Sequence, residues 1–165
     1  MKSRLRFLRY VAYTAEILLL YIFSGIPNFM PEIFGIKPML LLPVAFTIAV
    51  FENEIPAMVF GLICGALCDV GSYDKIGFYT IALTILCFVF GYCARNFFVT
   101  NFANAMAIGV SATAILLCLY FLFFCADMQY AGTHFLKHYL VKIIYTVLFL
   151  PLLFLLNKLL HIAID

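Results

Sequence analysis

Apolar residues in this chain come in long consecutive blocks divided by short polar or charged breaks. The stretch Ala114-Ile115-Leu116-Leu117-Cys118-Leu119-Tyr120-Phe121-Leu122-Phe123-Phe124 has no period-two alternation. A membrane barrel requires that alternation, so the blocks read as helices. A hydrocarbon core of roughly 30 Å is crossed by about 20 helical residues. On that measure the pattern predicts six spans, at about 10–26, 33–51, 55–68, 76–94, 102–126 and 139–160. Pro27 closes the first, and Lys37 and Pro38 lie in the first turns of the second. Counted from Pro38, the second and third offer only about 14 apolar residues each, which suits short tilted spans or a re-entrant hairpin as well as full crossings. A hairpin would carry the Glu52-Asn53-Glu54 turn to mid-membrane, at about 2.5–3.5 kcal/mol for each buried acid. A surface turn, and hence an all-α bundle of six transmembrane helices, is the expectation.

Composition makes lipid the solvent. The 165 residues are 67% hydrophobic and 11% charged, with a mean hydropathy of +1.13, whereas a water-soluble domain carries about 25% charged residues. The longest polar connection, about 127–138, is too short for an independent fold, so one transmembrane domain covers 1–165. Lys2, Arg4, Arg6 and Arg9 precede the first span, Arg95 follows the fourth and Lys158 closes the sixth, against Lys37, Lys75, Lys137 and Lys142 on the other side. The bias predicts cytoplasmic amino and carboxyl termini. The basic start and apolar run resemble a signal peptide, but no A-x-A site follows Ile26 and five more apolar segments do, which predicts an uncleaved span. The net charge of +2 sits where topology requires it and implies no nucleic-acid partner.

The most specific local pattern is Ala57, Gly61, Gly65 and Asp69, four residues apart and therefore on one helix face. The Gly61–Gly65 step lets another helix approach backbone to backbone, either within the bundle or from a partner. Asp69 ends that face at the membrane rim, where an acid caps, pairs or stays hydrated. Glu16 is the acid expected inside the hydrocarbon boundary, with Arg9 across the same face as its expected partner. The six cysteines, at 64, 68, 87, 93, 118 and 125, fall in hydrophobic segments without a CxxC and read as packing residues. His134 and His138 would need a third ligand, such as Asp127, to hold a metal. There is no HExxH, P-loop, GxGxxG or facing pair of deep acids, and Ser111 and Thr113 are expected to bond their own backbone. Neither an enzyme nor a cofactor or metal site is expected.

Lys37-Pro38 ahead of an aliphatic run, the Glu52-Asn53-Glu54 turn, Gly61, Gly65 and Asp69 in the frame G-x-x-x-G-x-x-x-D, Gly77 opening the next span, and Pro151 in the last together resemble the bacterial rod shape-determining MreD family. Met39 departs from the polar residue expected after Lys37-Pro38. The resemblance implies a multi-pass protein of the bacterial cytoplasmic membrane without enzymatic activity, serving cell elongation and peptidoglycan synthesis. It also implies binding to the bitopic protein MreC and, through it, to MreB, RodA and a class B penicillin-binding protein. The family in turn resembles, in size and layout, the substrate-binding subunits of energy-coupling-factor vitamin importers, which is the alternative function. Against that alternative, the Ala-x-x-x-Ala step those subunits carry on their first helix falls here at Ala103 and Ala107, in the fifth span.

Overall fold

The computed structural model describes residues 2–26, 39–71, 77–96, 102–124 and 140–164. They form six helices: α1 Lys2–Gly25, α2 Leu41–Phe51, α3 Glu54–Gly71, α4 Phe78–Asn96, α5 Phe102–Phe124 and α6 Leu140–Ile164. All but α2 are long and apolar enough to cross a membrane. The second of the six predicted spans therefore differs from expectation. Its described part is an 11-residue helix, which rises about 16 Å, roughly half of a hydrocarbon core. The third is longer than predicted, at 18 residues. The first starts at Lys2 rather than Tyr10, so Arg4, Arg6 and Arg9 extend the helix instead of preceding it. Lys37 and Pro38 lie outside the described residues, as do Asp127, His134 and His138.

The short helix is the hub. Every residue of α2 from Leu41 to Val50 is buried, and α2 touches all five other helices. An apolar helix of this kind has no lipid-facing side, so its length need not match the bilayer. Pro43 is tolerated in its first turn, where a missing backbone N–H breaks no intrahelical bond. Leu42, Val44, Phe46 and Ile48 lie in one core with Tyr13 and Ile17 of α1, Phe60 and Cys64 of α3, Leu83 and Cys87 of α4, Leu116 of α5 and Leu153 of α6. The large apolar side chains on the outside, such as Phe7, Ile55, Ile81, Phe123 and Leu148, are what a helix in lipid presents.

The Glu52-Asn53-Glu54 break joins α2 to α3. Glu52 is extended and caps α2 through its backbone N–H to the Ile48 carbonyl at 3.0 Å, and Ala57 N–H opens α3 by donating to the Asn53 carbonyl at 3.0 Å. Arg95, at the end of α4, donates to Asn53 Oδ1 at 2.9 Å and lies 3.7 Å from a Glu54 oxygen. The start of α1, this turn, the end of α4 and the end of α6 thus gather at one end of the bundle.

Candidate functional site

Two regions carry the residues with chemistry. The first is the seam between α3 and α4, the most extensive helix contact in the bundle. The two helices run antiparallel, with small residues facing each other in register. A Cβ on Gly91 would sit 3.2 Å from Ala57 Cβ; one on Gly61 would meet Cys87 Cβ at 2.8 Å and the Leu83 carbonyl oxygen at 2.9 Å; one on Gly65 would meet Thr80 Cα at 2.5 Å. Backbones in such contact collect dispersion energy over their whole length, which substitutes in lipid for the hydrophobic drive between helices.

Asp69 completes this seam. It is buried, and its carboxylate accepts from the backbone N–H of Tyr79 at 3.1 Å, from the N–H of Thr80 at 2.9 Å and from the Thr80 hydroxyl at 2.5 Å. These N–H groups belong to the first turn of α4, which has no intrahelical partners for them. Gly77, before that turn, has φ +99, a conformation that favours glycine but provides no capping side chain. The acid of α3 therefore caps α4 from across the seam and complements the positive end of its dipole. Gly65 admits the α4 backbone, and Asp69, one turn on, binds it.

The second region joins α1, α2 and α6 through buried polar groups. Arg9 Nε lies 2.7 Å from Glu52 Oε1, and Arg9 Nη1 donates to His161 Nε2 at 3.1 Å. Deeper in the bundle, the Asn157 amide nitrogen is 3.2 Å from Glu16 Oε1, 3.1 Å from Thr47 Oγ1 and 3.1 Å from the Leu153 carbonyl oxygen. Thr47 donates onward to the Val44 carbonyl at 2.9 Å. The expected Arg9–Glu16 pair is not formed. Arg9 goes to Glu52 instead, because Glu52 terminates α2 at the level of Arg9, whereas Glu16 lies about 10 Å further along α1 and meets Asn157. Glu52 is correspondingly 7% exposed, although its turn lies at an end of the bundle.

The structure thus gathers Ala57, Gly61, Gly65 and Asp69 on one face, as helical spacing dictates, and turns that face toward α4. Gly77 opens α4, and Pro151 sits within α6. Ser111 and Thr113 donate to the carbonyls of Ile108 and Gly109, at 2.9 and 2.7 Å. Five described cysteines are free, and no group of three metal-ligating side chains occurs among the described residues. Sequence reasoning missed Tyr13, Thr47 and Asn157. Asn157 carried a signal, as an amide inside the apolar run Leu152 to Leu160. Nothing local named its partners, which lie 110 and 141 residues away.

Five long apolar helices around a buried sixth, with no strand among the described residues, define a multi-pass α-helical membrane protein. The chain belongs to the MreD family: the family model of rod shape-determining protein MreD matches residues 3–160. No curated protein and no solved structure matches it. Membership gives the chain a role in rod-shape determination and a place in the bacterial cytoplasmic membrane.

Proposed function

We propose that this chain is a non-enzymatic scaffold of the cell-elongation complex, binding MreC in the membrane and, through it, MreB, RodA and a class B penicillin-binding protein. The observation that carries the reading is the family match over residues 3–160. The orientation we propose has both termini inside. It is supported by the clustering of Arg4, Arg6, Arg9, Arg95 and Lys158 at the end of the bundle where Arg9 meets Glu52 and His161, since cytoplasmic ends carry the excess of basic residues. The glycine face of α3 is occupied by α4, so a partner's span is expected against a lipid-facing surface, by van der Waals packing.

Depletion of the chain in its rod-shaped host, followed by microscopy and affinity capture, tests this. Rods that round up, and MreC recovered with the tagged chain, are the expected results. Unchanged shape would contradict the scaffold reading. Strong thermal stabilisation of the purified chain by one member of a vitamin panel would favour the importer subunit instead, since a ligand bound to the native state raises stability by mass action.

A further inference from the structure

Helix α1 is the least buried of the five long helices, and its two sides differ. Tyr13, Glu16 and Ile17 are buried toward the bundle, and the helical repeat puts Arg6 and Arg9 on that same side. Arg4, Phe7, Leu8, Val11, Ala15 and Leu18 make the opposite stripe. All six are exposed. The arginines differ in the same way. Arg9 is paired with Glu52 and Arg95 with Glu54, whereas Arg4 and Arg6 have no ion pair among the described residues. Of these two, only Arg4 heads the outward stripe.

Depth narrows what can meet it. The Arg9–Glu52 pair and the Glu52-Asn53-Glu54 turn close this end of the bundle. Arg4 stands about 7.5 Å beyond Arg9 along α1, roughly the depth of one headgroup layer, and the candidate span begins at Arg4. In the other direction Leu18 lies about 14 Å further in than Arg9, close to half of a hydrocarbon core. An unpaired guanidinium thus stands at phosphate level above an apolar stripe that runs to mid-bilayer, the reach of one acyl chain. Ala15 recesses that stripe between Val11 and Leu18, each 49% exposed. Guanidinium matches phosphate oxygens in a bidentate fork. In a zwitterionic lipid the headgroup's own ammonium competes for the phosphate; an acidic phospholipid has no such competitor. A partner's span would need an acid at this same depth to match Arg4, whereas every phospholipid brings a phosphate there.

We propose that the outward stripe of α1 binds one acidic phospholipid, with its phosphate on Arg4 and an acyl chain along Leu8, Val11 and Leu18. The site rests on lipid being the solvent of the bundle, and not on the partners or the orientation suggested above.

The chain contains no tryptophan, so Phe7→Trp, at a side chain 69% exposed and one turn from Arg4, gives a single fluorescent reporter beside the site. The test is quenching of that reporter in the purified full-length chain, in phosphatidylcholine vesicles where the brominated lipid is either phosphatidylglycerol or phosphatidylcholine. Phosphatidylglycerol is expected to displace phosphatidylcholine with a relative affinity of about fivefold, equivalent to about 1 kcal/mol for one basic side chain at an anionic surface. Arg4→Gln brings that ratio to about one. Arg6→Gln, which removes the same charge two residues away on the bundle side, leaves it close to fivefold. Phe123→Trp, at a side chain 72% exposed and beside Phe78 at the other end of the bundle, reports no preference. Equal quenching by the two lipids at Phe7→Trp overturns the site and leaves the stripe to neutral lipid or a partner's span. Equal losses in Arg4→Gln and Arg6→Gln overturn it too, by assigning the preference to the diffuse field of the basic end. A preference abolished by inorganic phosphate, but not by chloride at the same ionic strength, overturns it in favour of a free anion.

Discussion

The α3–α4 seam and the attachment of α1 solve the same problem in opposite ways. Lipid provides little drive for one apolar helix to adhere to another, so contact must come from close packing or from polar groups with nowhere else to go. The seam relies on packing. Ala57, Gly61 and Gly65 bring two backbones together, and the buried acid at its far end, Asp69, is matched to the three donors it caps. Helix α1 buries Tyr13, Glu16 and Ile17 and is pinned by Arg9 to Glu52 and by Glu16 to Asn157. The first contact resists any added atom. The second is sensitive to removal of a partner, and to conditions that change charge.

The largest effect is expected at Gly65. Gly65→Leu forces a side chain into the backbone of Thr80, which cannot yield, and should cost roughly 3 kcal/mol or more, at the upper end of overpacking. It should read as loss of folded yield by size-exclusion chromatography, while recovery at the wild-type level would reopen the seam as a free surface. Asp69→Ala strands the Tyr79 and Thr80 N–H groups and should cost about 1–3 kcal/mol in denaturant titration, with Asp69→Asn losing less because one acceptor survives. At the other region, Glu16→Leu and Asn157→Leu should each cost about 1–3 kcal/mol alone, and the double variant less than their sum, since neither side chain then leaves the other unpaired. Strict additivity would mean the two side chains do not interact. The smallest effects are at glycines that merely resemble those of the seam. Gly109→Ala meets only the flexible end of Leu150 and Gly71→Ala meets nothing within 4 Å. The first should cost under about 1 kcal/mol and the second stay within about 0.5 kcal/mol of wild type by the same titration.

The contrast also marks what a sequence can reveal. Five of the six helices follow from block length and polar breaks, because lipid-crossing segments advertise themselves by composition. The role of α2 was hidden, since Leu41 to Val50 reads the same whether lipid or protein surrounds it. The face from Ala57 to Asp69 was legible because helical periodicity is local. That α4 fills it was not, because periodicity says nothing of which helix is the neighbour. The same gap explains why Arg9 was given to Glu16: their spacing on one helix suggested a pair, and only the depth of α2 reveals that Glu52 reaches Arg9 first.

The small-residue face of α3 is closed within the bundle by α4, so the proposed contact with MreC must lie elsewhere. The most direct measurement is disulfide cross-linking in membranes, with Ala57→Cys and Gly91→Cys in a chain whose own cysteines are replaced. Their Cβ atoms would stand 3.2 Å apart, a few tenths inside the usual range for a bridge. An intramolecular bridge in high yield, with MreC still recovered with the oxidised chain, is the expected result. A bridge that does not form, or one that expels MreC, would contradict it.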